Sequence, residues 1–160
     1  MPSRPRTFAS SWGSTTTVVT PSKAIRVAHA RAASGQKVFV ANTEFSLGSN
    51  IARIDVFTPG VGFATEPGPT GAQGLTGFDL VRSEAGDHVL FAAAVQGVGV
   101  AIYRRAGTTV WEPVTTFPVT MAGCEVANPE LAATEDEGLF VTWTESCGSQ
   151  NWYVWLAKID

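Results

Sequence analysis

Three segments of this chain carry one pattern, and that repetition constrains the fold more than any other feature. Val38-Phe39-Val40-Ala41-Asn42-Thr43-Glu44 matches Leu90-Phe91-Ala92-Ala93-Ala94-Val95-Gln96, and both match Leu139-Phe140-Val141-Thr142-Trp143-Thr144-Glu145. Phe39, Phe91 and Phe140 are spaced by 52 and 49 residues. A turn precedes each run, at Ala33 to Gln36, Glu84 to Asp87 and Glu135 to Gly138. Before the turns lie apolar segments at Ile25 to Ala28, Phe78 to Val81 and Leu131 to Ala133. After the runs lie others at Ile51 to Phe57, Val98 to Tyr103 and Trp152 to Ile159. Such a period marks units that each bury a face against the next.

The segments read as strands. Val and Thr each occur eighteen times, Gly sixteen times and Lys three times. β-branched residues suit a pleated surface, and Gly suits tight turns. No segment sustains a capped helical period. Val89 to Val95 is apolar throughout, and Trp152 to Ala157 carries large side chains at both parities. Such strands need cover on both sides, which sheets stacked in series provide.

A fourth strand follows in two repeats, at Gly60 to Pro67 and Gly107 to Pro113. The third repeat reaches Asp160 without one, while Thr7-Phe8-Ala9-Ser10-Ser11-Trp12 stands alone at the other end. Aligning Trp12, Phe63 and Trp111 gives spacings of 51 and 48. The chain therefore reads as one all-β unit of three four-stranded antiparallel repeats, about 13–62, 63–110 and 111–160. Its permuted N-terminal strand, 7–12, closes the last repeat. The aligned aromatics are expected to pack between repeats.

Four antiparallel strands per repeat, with a Trp near the last, is the pattern of a β-propeller blade. The chain resembles the sialidase-like, bacterial-neuraminidase-repeat propellers. The resemblance lies in Asn128-Pro129-Glu130-Leu131-Ala132-Ala133 before Leu139 to Trp143, and in Ile102 to Trp111. The latter looks like a degenerate Asp-box lacking its Ser and Asp, with one residue inserted before Trp111. Closed propellers have about 4–8 blades. Three blades imply either part of a longer propeller or two copies forming a six-bladed homodimer, with Thr7 to Trp12 completing the partner's last blade.

In blade topology, the loops between second and third strands share an end with those joining successive blades. Cys124 and Cys147 both fall in such loops. A disulfide there is expected, and it would imply an oxidising, extracellular or exported setting. Two free buried thiols are the alternative. Met1 to Ser10 hold no apolar leader.

The resemblance implies a ligand over that loop end, formed by Gly13 to Ala24, Ala64 to Gly77 and Glu112 to Asn128, with Thr43 to Asn50, Gln96-Gly97 and Thr144 to Asn151. Glu44, Gln96 and Glu145 end the second strand of each repeat and would form a polar collar. Glu145, Gln150 and Asn151 could take sugar hydroxyls while Trp143, Trp152 or Trp155 stack on a ring. Alternation puts Trp152 and Trp155 on opposite faces, and both are expected in the core. The competing reading is ordinary wet strand ends and core aromatics.

A sialidase-like mechanism would need three Arg, a Tyr–Glu pair and an Asp. Arg26, Arg82, Tyr103 and Tyr153 show no spacing that joins them. Glu44, Glu66, Glu112, Glu125 and Glu145 offer no evident pair for glycoside cleavage. His29 and His88 lack further zinc ligands, and Glu135-Asp136-Glu137 lacks calcium-loop spacing. No catalytic residue, metal or cofactor is implied. A net charge of −3 argues against a nucleic-acid binder that works through a basic surface. No apolar run approaches the roughly 20 residues of a membrane span. The sequence favours a non-enzymatic, lectin-like carbohydrate-binding module acting as an oligomer. The alternatives are an assembly subunit using blade edges and a fragment of a glycoside hydrolase.

Overall fold

The computed structural model describes residues 25–159, except 33–34, 47–48, 84–87, 107–109, 135–137 and 149–150. Thr7 to Trp12, Gly13 to Ala24, Gln150 and Glu135 to Glu137 lie outside the described residues.

Among the described residues the chain is all strand, in three antiparallel sheets. The first holds β1 (Ile25–Ala32), β2 (Gly35–Ser46), β3 (Ser49–Thr58) and β4 (Gly62–Pro67). The second holds β5 (Leu75–Ser83), β6 (His88–Val95), β7 (Gly99–Ala106) and β8 (Glu112–Pro118). The third holds β9 (Glu125–Thr134), β10 (Gly138–Cys147) and β11 (Asn151–Ile159). Within each sheet, neighbours in space are neighbours in sequence. The repeat seen in the sequence is thus a repeat of sheets.

The middle sheet explains why its strands are apolar at both parities. On β6, Val89, Phe91, Ala93 and Val95 join the core against the first sheet, with Phe39, Ile54 and Val56. Leu90, Ala92 and Ala94 join the core against the third, with Val126, Val141 and Trp143. Alternation sends successive side chains to opposite faces, so one strand seals two cores. Fully burying a Phe or Leu contributes roughly 1.5–3 kcal/mol.

The first strands of the sheets lie side by side, β5 beside both β1 and β9. Gly77 permits the closest approach, because a Cβ there would stand 2.9 Å from Pro129 Cδ and 3.0 Å from the Asn128 nitrogen. Side chains stitch the two strands together. The Leu131 amide donates to Asp79 Oδ2 at 2.8 Å, and the Thr76 hydroxyl donates to the Val126 carbonyl.

Two alignments need correction. Phe39 and Phe91 are not equivalent, because they face each other across the first core, one from each sheet. The hairpins before them close at Ala32↔Gly35 and Ser83↔His88, so Phe39 stands four residues past its closing residue and Phe91 only three. A one-residue offset reverses every side chain. Phe63 and Trp111 are not equivalent either. Phe63 lies exposed on β4, whereas Trp111 precedes β8 and is buried with its ring 5.8 Å from Phe91. The fourth strand of the second repeat accordingly runs 112–118 rather than 107–113.

Candidate functional site

One end of the molecule is built from the turns and connections expected to lie together. The end of the β4–β5 connection and the start of β5 meet the start of β3, where the Gly74 amide donates to Ser49 Oγ at 2.7 Å and Asn50 Nδ2 donates to the Leu75 carbonyl at 3.3 Å. The Gln96 amide, from the β6–β7 turn, donates to the Gly74 carbonyl at 3.1 Å. The Val119 amide, from the β8–β9 connection, donates to the Val98 carbonyl at 3.3 Å. The disulfide between Cys124 and Cys147 then ties that connection to the end of β10, with an S–S distance of 2.07 Å.

The connections, 68–74 and 119–124, are shorter than the sequence implied because the strands run further. Glu112 opens β8, pairing across to Arg104, while Pro118 at the other end of β8 pairs with Gly99 beside the turn. Glu112 therefore lies away from the loop end, in an ion pair with Arg104 at 3.0 Å.

Glu145 is the most constrained polar group here. It points inward from β10 and has 0% of its surface exposed. Its Oε1 accepts from Trp143 Nε1 at 3.2 Å and from the Thr120 amide at 3.3 Å. The Thr120 hydroxyl donates to Oε2. A buried carboxylate needs such donors, and here they fix the β8–β9 connection onto β10. Trp143 is itself core, stacked between Phe117 at 5.4 Å and Trp155 at 6.4 Å.

The expected collar does not share one position. Glu145 faces the core, Glu44 is half-buried on β2, and Gln96 is exposed in the β6–β7 turn beyond the end of β6. The middle strand is shorter, so a matched count from Phe91 overruns it. Asn151 and Trp152 are exposed at the start of β11. Trp152 is 65% exposed, so Trp155 but not Trp152 belongs to the core, because only one face of β11 is covered.

Cys124, Cys147 and Glu145 bring three ligand-type atoms within 4.8 Å of one another. The two sulfurs are bonded together, so the group presents a disulfide and a hydrogen-bonded carboxylate rather than thiolate ligands. Glu66 forms a buried ion pair with Arg105, whose guanidinium lies 4.7 Å from the Phe39 ring centroid. This bridge between the first two sheets was not anticipated from the sequence, because its partners lie on different sheets, β4 and β7, far apart in the chain. Tyr103 is buried on β7 and Tyr153 partly exposed on β11, while Arg82 lies on β5 at the end opposite Leu75. They do not converge on one site. Burial raises the Tyr103 hydroxyl above its usual value of 10.0.

The outward face of the third sheet forms a second notable surface. On β11, Trp152, Val154 and Leu156 are 65%, 78% and 68% exposed. The corresponding face of the middle sheet is buried at Val100 and Ile102. On the outward face of the first sheet Phe63 is exposed, 5.0 Å from Phe57 between ring centroids, while Asn42 and Asp55 are buried and Asp55 pairs with Arg53 at 3.3 Å. Among the described residues no helix is long and apolar enough to cross a membrane. No protein-family model, curated protein or solved structure matches the chain.

Proposed function

We propose that this chain is an assembly unit of a propeller-type ring, in which two copies join through the outward faces of their end sheets to give six blades. One observation carries the reading: Trp152, Val154 and Leu156 are exposed on a face that is buried in the neighbouring repeat. Contiguous apolar surface of this kind marks an interaction site. The occupant is a second copy, because the chain already packs such a face twice, sheet on sheet, and the outward face of its first sheet carries the exposed Phe63. A ring of two identical junctions closes, leaving no face uncovered.

Light scattering tests it. The expected mass is twice the 16.9 kDa of one chain. Val154→Lys with Leu156→Lys is expected to give a folded monomer. A wild-type protein that stays at the single-chain mass at high concentration overturns the reading.

A second reading, carbohydrate binding at the loop end, is favoured by the adjacent exposure of Asn151 and Trp152. It receives no surface from Trp143 or Glu145, which are buried. A glycan array probed with protein of known mass tests it, and an array without hits removes it.

A further inference from the structure

We propose that Cys124, Cys147 and Glu145 form a zinc site once their disulfide is reduced, so that a metal ion takes over the cross-link. The site lies within one chain and needs no second copy.

Strand periodicity assembles it. Glu145 and Cys147 stand two apart on β10, so their side chains leave the same face. Cys124 ends the β8–β9 connection, which delivers its sulfur to them. One ligand-type atom from each of the three residues lies within 4.8 Å of the other two. Around tetrahedral zinc, with Zn–S about 2.3 Å and Zn–O about 2.0–2.2 Å, ligand atoms stand roughly 3.5–3.8 Å apart. Opening the S–S bond lets the sulfurs part to that spacing.

The carboxylate has room for a metal. Glu145 is fully buried, and among the described residues Trp143 Nε1, the Thr120 amide and the Thr120 hydroxyl donate to it. An ionised carboxylate offers about four acceptor positions, so one remains. Those donors fix its orientation, as outer partners fix a metal ligand. Cys124 is buried and Cys147 partly exposed, which gives the group one open side. Three protein ligands with water in the fourth position suit such a site. Thiolates select zinc over the hard cations magnesium and calcium. Two thiolates and a carboxylate gathered beside a packed core need a cation to offset their charge, and zinc supplies it.

The reductant is a small dithiol, which reaches the bond from the Cys147 side. The protein S–S bond breaks, the dithiol's own sulfurs join, and its two protons pass to Cys124 and Cys147. Zinc then displaces those two protons to solvent. The connection 119–124 is thus tied to β10 by a disulfide in an oxidising setting and by zinc in a reducing one.

Full-length protein tests it. The chain is reduced with a dithiol, the dithiol is removed under nitrogen, and zinc is titrated in competition with a chromophoric chelator. Reduced wild type is expected to take up one zinc per chain, at least tenfold more tightly than the oxidised protein, than reduced Glu145→Gln, or than Cys124→Ser with Cys147→Ala. Affinity no better than that of the oxidised protein or the cysteine variant overturns the site, and so does a reduced chain that unfolds and takes up no zinc. Equal affinity in folded Glu145→Gln overturns the carboxylate as a ligand and the site as proposed. Zinc-edge X-ray absorption on reduced wild type needs no variant: two sulfur neighbours at about 2.3 Å with oxygen completing the shell are expected, and fewer than two sulfurs overturns it. Zinc should also raise the urea midpoint of reduced wild type, because it binds the folded state, and leave that of the cysteine variant unmoved. Equal shifts in the two proteins overturn the cross-link.

Discussion

The Glu145 carboxylate accepts the Thr120 amide at 3.3 Å, so a fully buried acid on β10 holds the connection that delivers the chain to β9. This acid is structural in its contacts, since it also accepts from Trp143 Nε1. Removing it leaves three donors without their acceptor. Hydrogen bonds to charged groups contribute about 1.5–3 kcal/mol each to stability when lost from a buried site, and they are not additive. Glu145→Ala is expected to cost about 3 kcal/mol in urea unfolding, with faster amide exchange at 119–124. A loss no larger than that of an ordinary surface substitution, about 0.5 kcal/mol, would show that the carboxylate is dispensable for the fold.

The disulfide acts on the same connection from its other end. Cys124 and Cys147 are separated by 23 residues in sequence. In the chain-entropy model, closing a loop of that size is worth roughly 3 kcal/mol. Cys124→Ser with Cys147→Ala is therefore expected to unfold at lower denaturant, with the loss unaffected by added thiol. Wild-type protein treated with thiol should move towards the variant. Mass spectrometry of an unreduced digest checks the bond itself, and free thiols at both positions would remove the premise.

How much of this was legible beforehand differs from element to element. The strands were, because apolar runs such as Val89 to Val95 and their flanking turns are local signals. The proximity of Cys124 and Cys147 followed from strand order alone, which fixes the end at which each loop emerges. The facing of individual side chains did not follow. Phe39 and Phe91 look equivalent, but Phe39 stands four residues past Gly35, where its hairpin closes, and Phe91 three past His88, so their parity differs. The same problem affected the candidate site: Glu145 and Gln96 align by count, yet one is in the core and the other in a turn. The Arg105–Glu66 pair was hidden for a different reason. Its partners sit on different sheets, far apart in the chain, and nothing local marks either one.

Gly99 provides a sharp test of the β7–β8 pairing. Its φ is +130°, and a Cβ there would lie 2.0 Å from the Phe117 carbonyl oxygen. A backbone atom cannot yield as a flexible side chain can. Gly97, in the adjoining turn, has φ +72° but nothing within 4 Å of the added carbon. Gly97→Ala is expected to cost about 1–2 kcal/mol, the penalty of a left-handed conformation. Gly99→Ala should cost clearly more and speed amide exchange along β8. Equal losses in thermal or urea unfolding would refute the close approach.

Tyr103 sets an alkaline limit on stability. Its hydroxyl is held above the usual 10.0 by burial, since desolvation disfavours the phenolate. Between the ordinary pKa and the raised one, the folded chain binds more protons than the unfolded chain. Stability contributed by this group is therefore complete below about pH 10 and is lost as pH rises through the folded value. The wild-type melting temperature should fall from about pH 10 upward. Tyr103→Phe, which keeps the ring and removes the ionising group, should flatten that fall, whatever its effect at neutral pH. Phenolate absorbance at high pH provides a second readout, with one tyrosine titrating late in wild type and that late step missing in the variant. Parallel pH profiles for the two proteins would show that Tyr103 does not couple ionisation to folding.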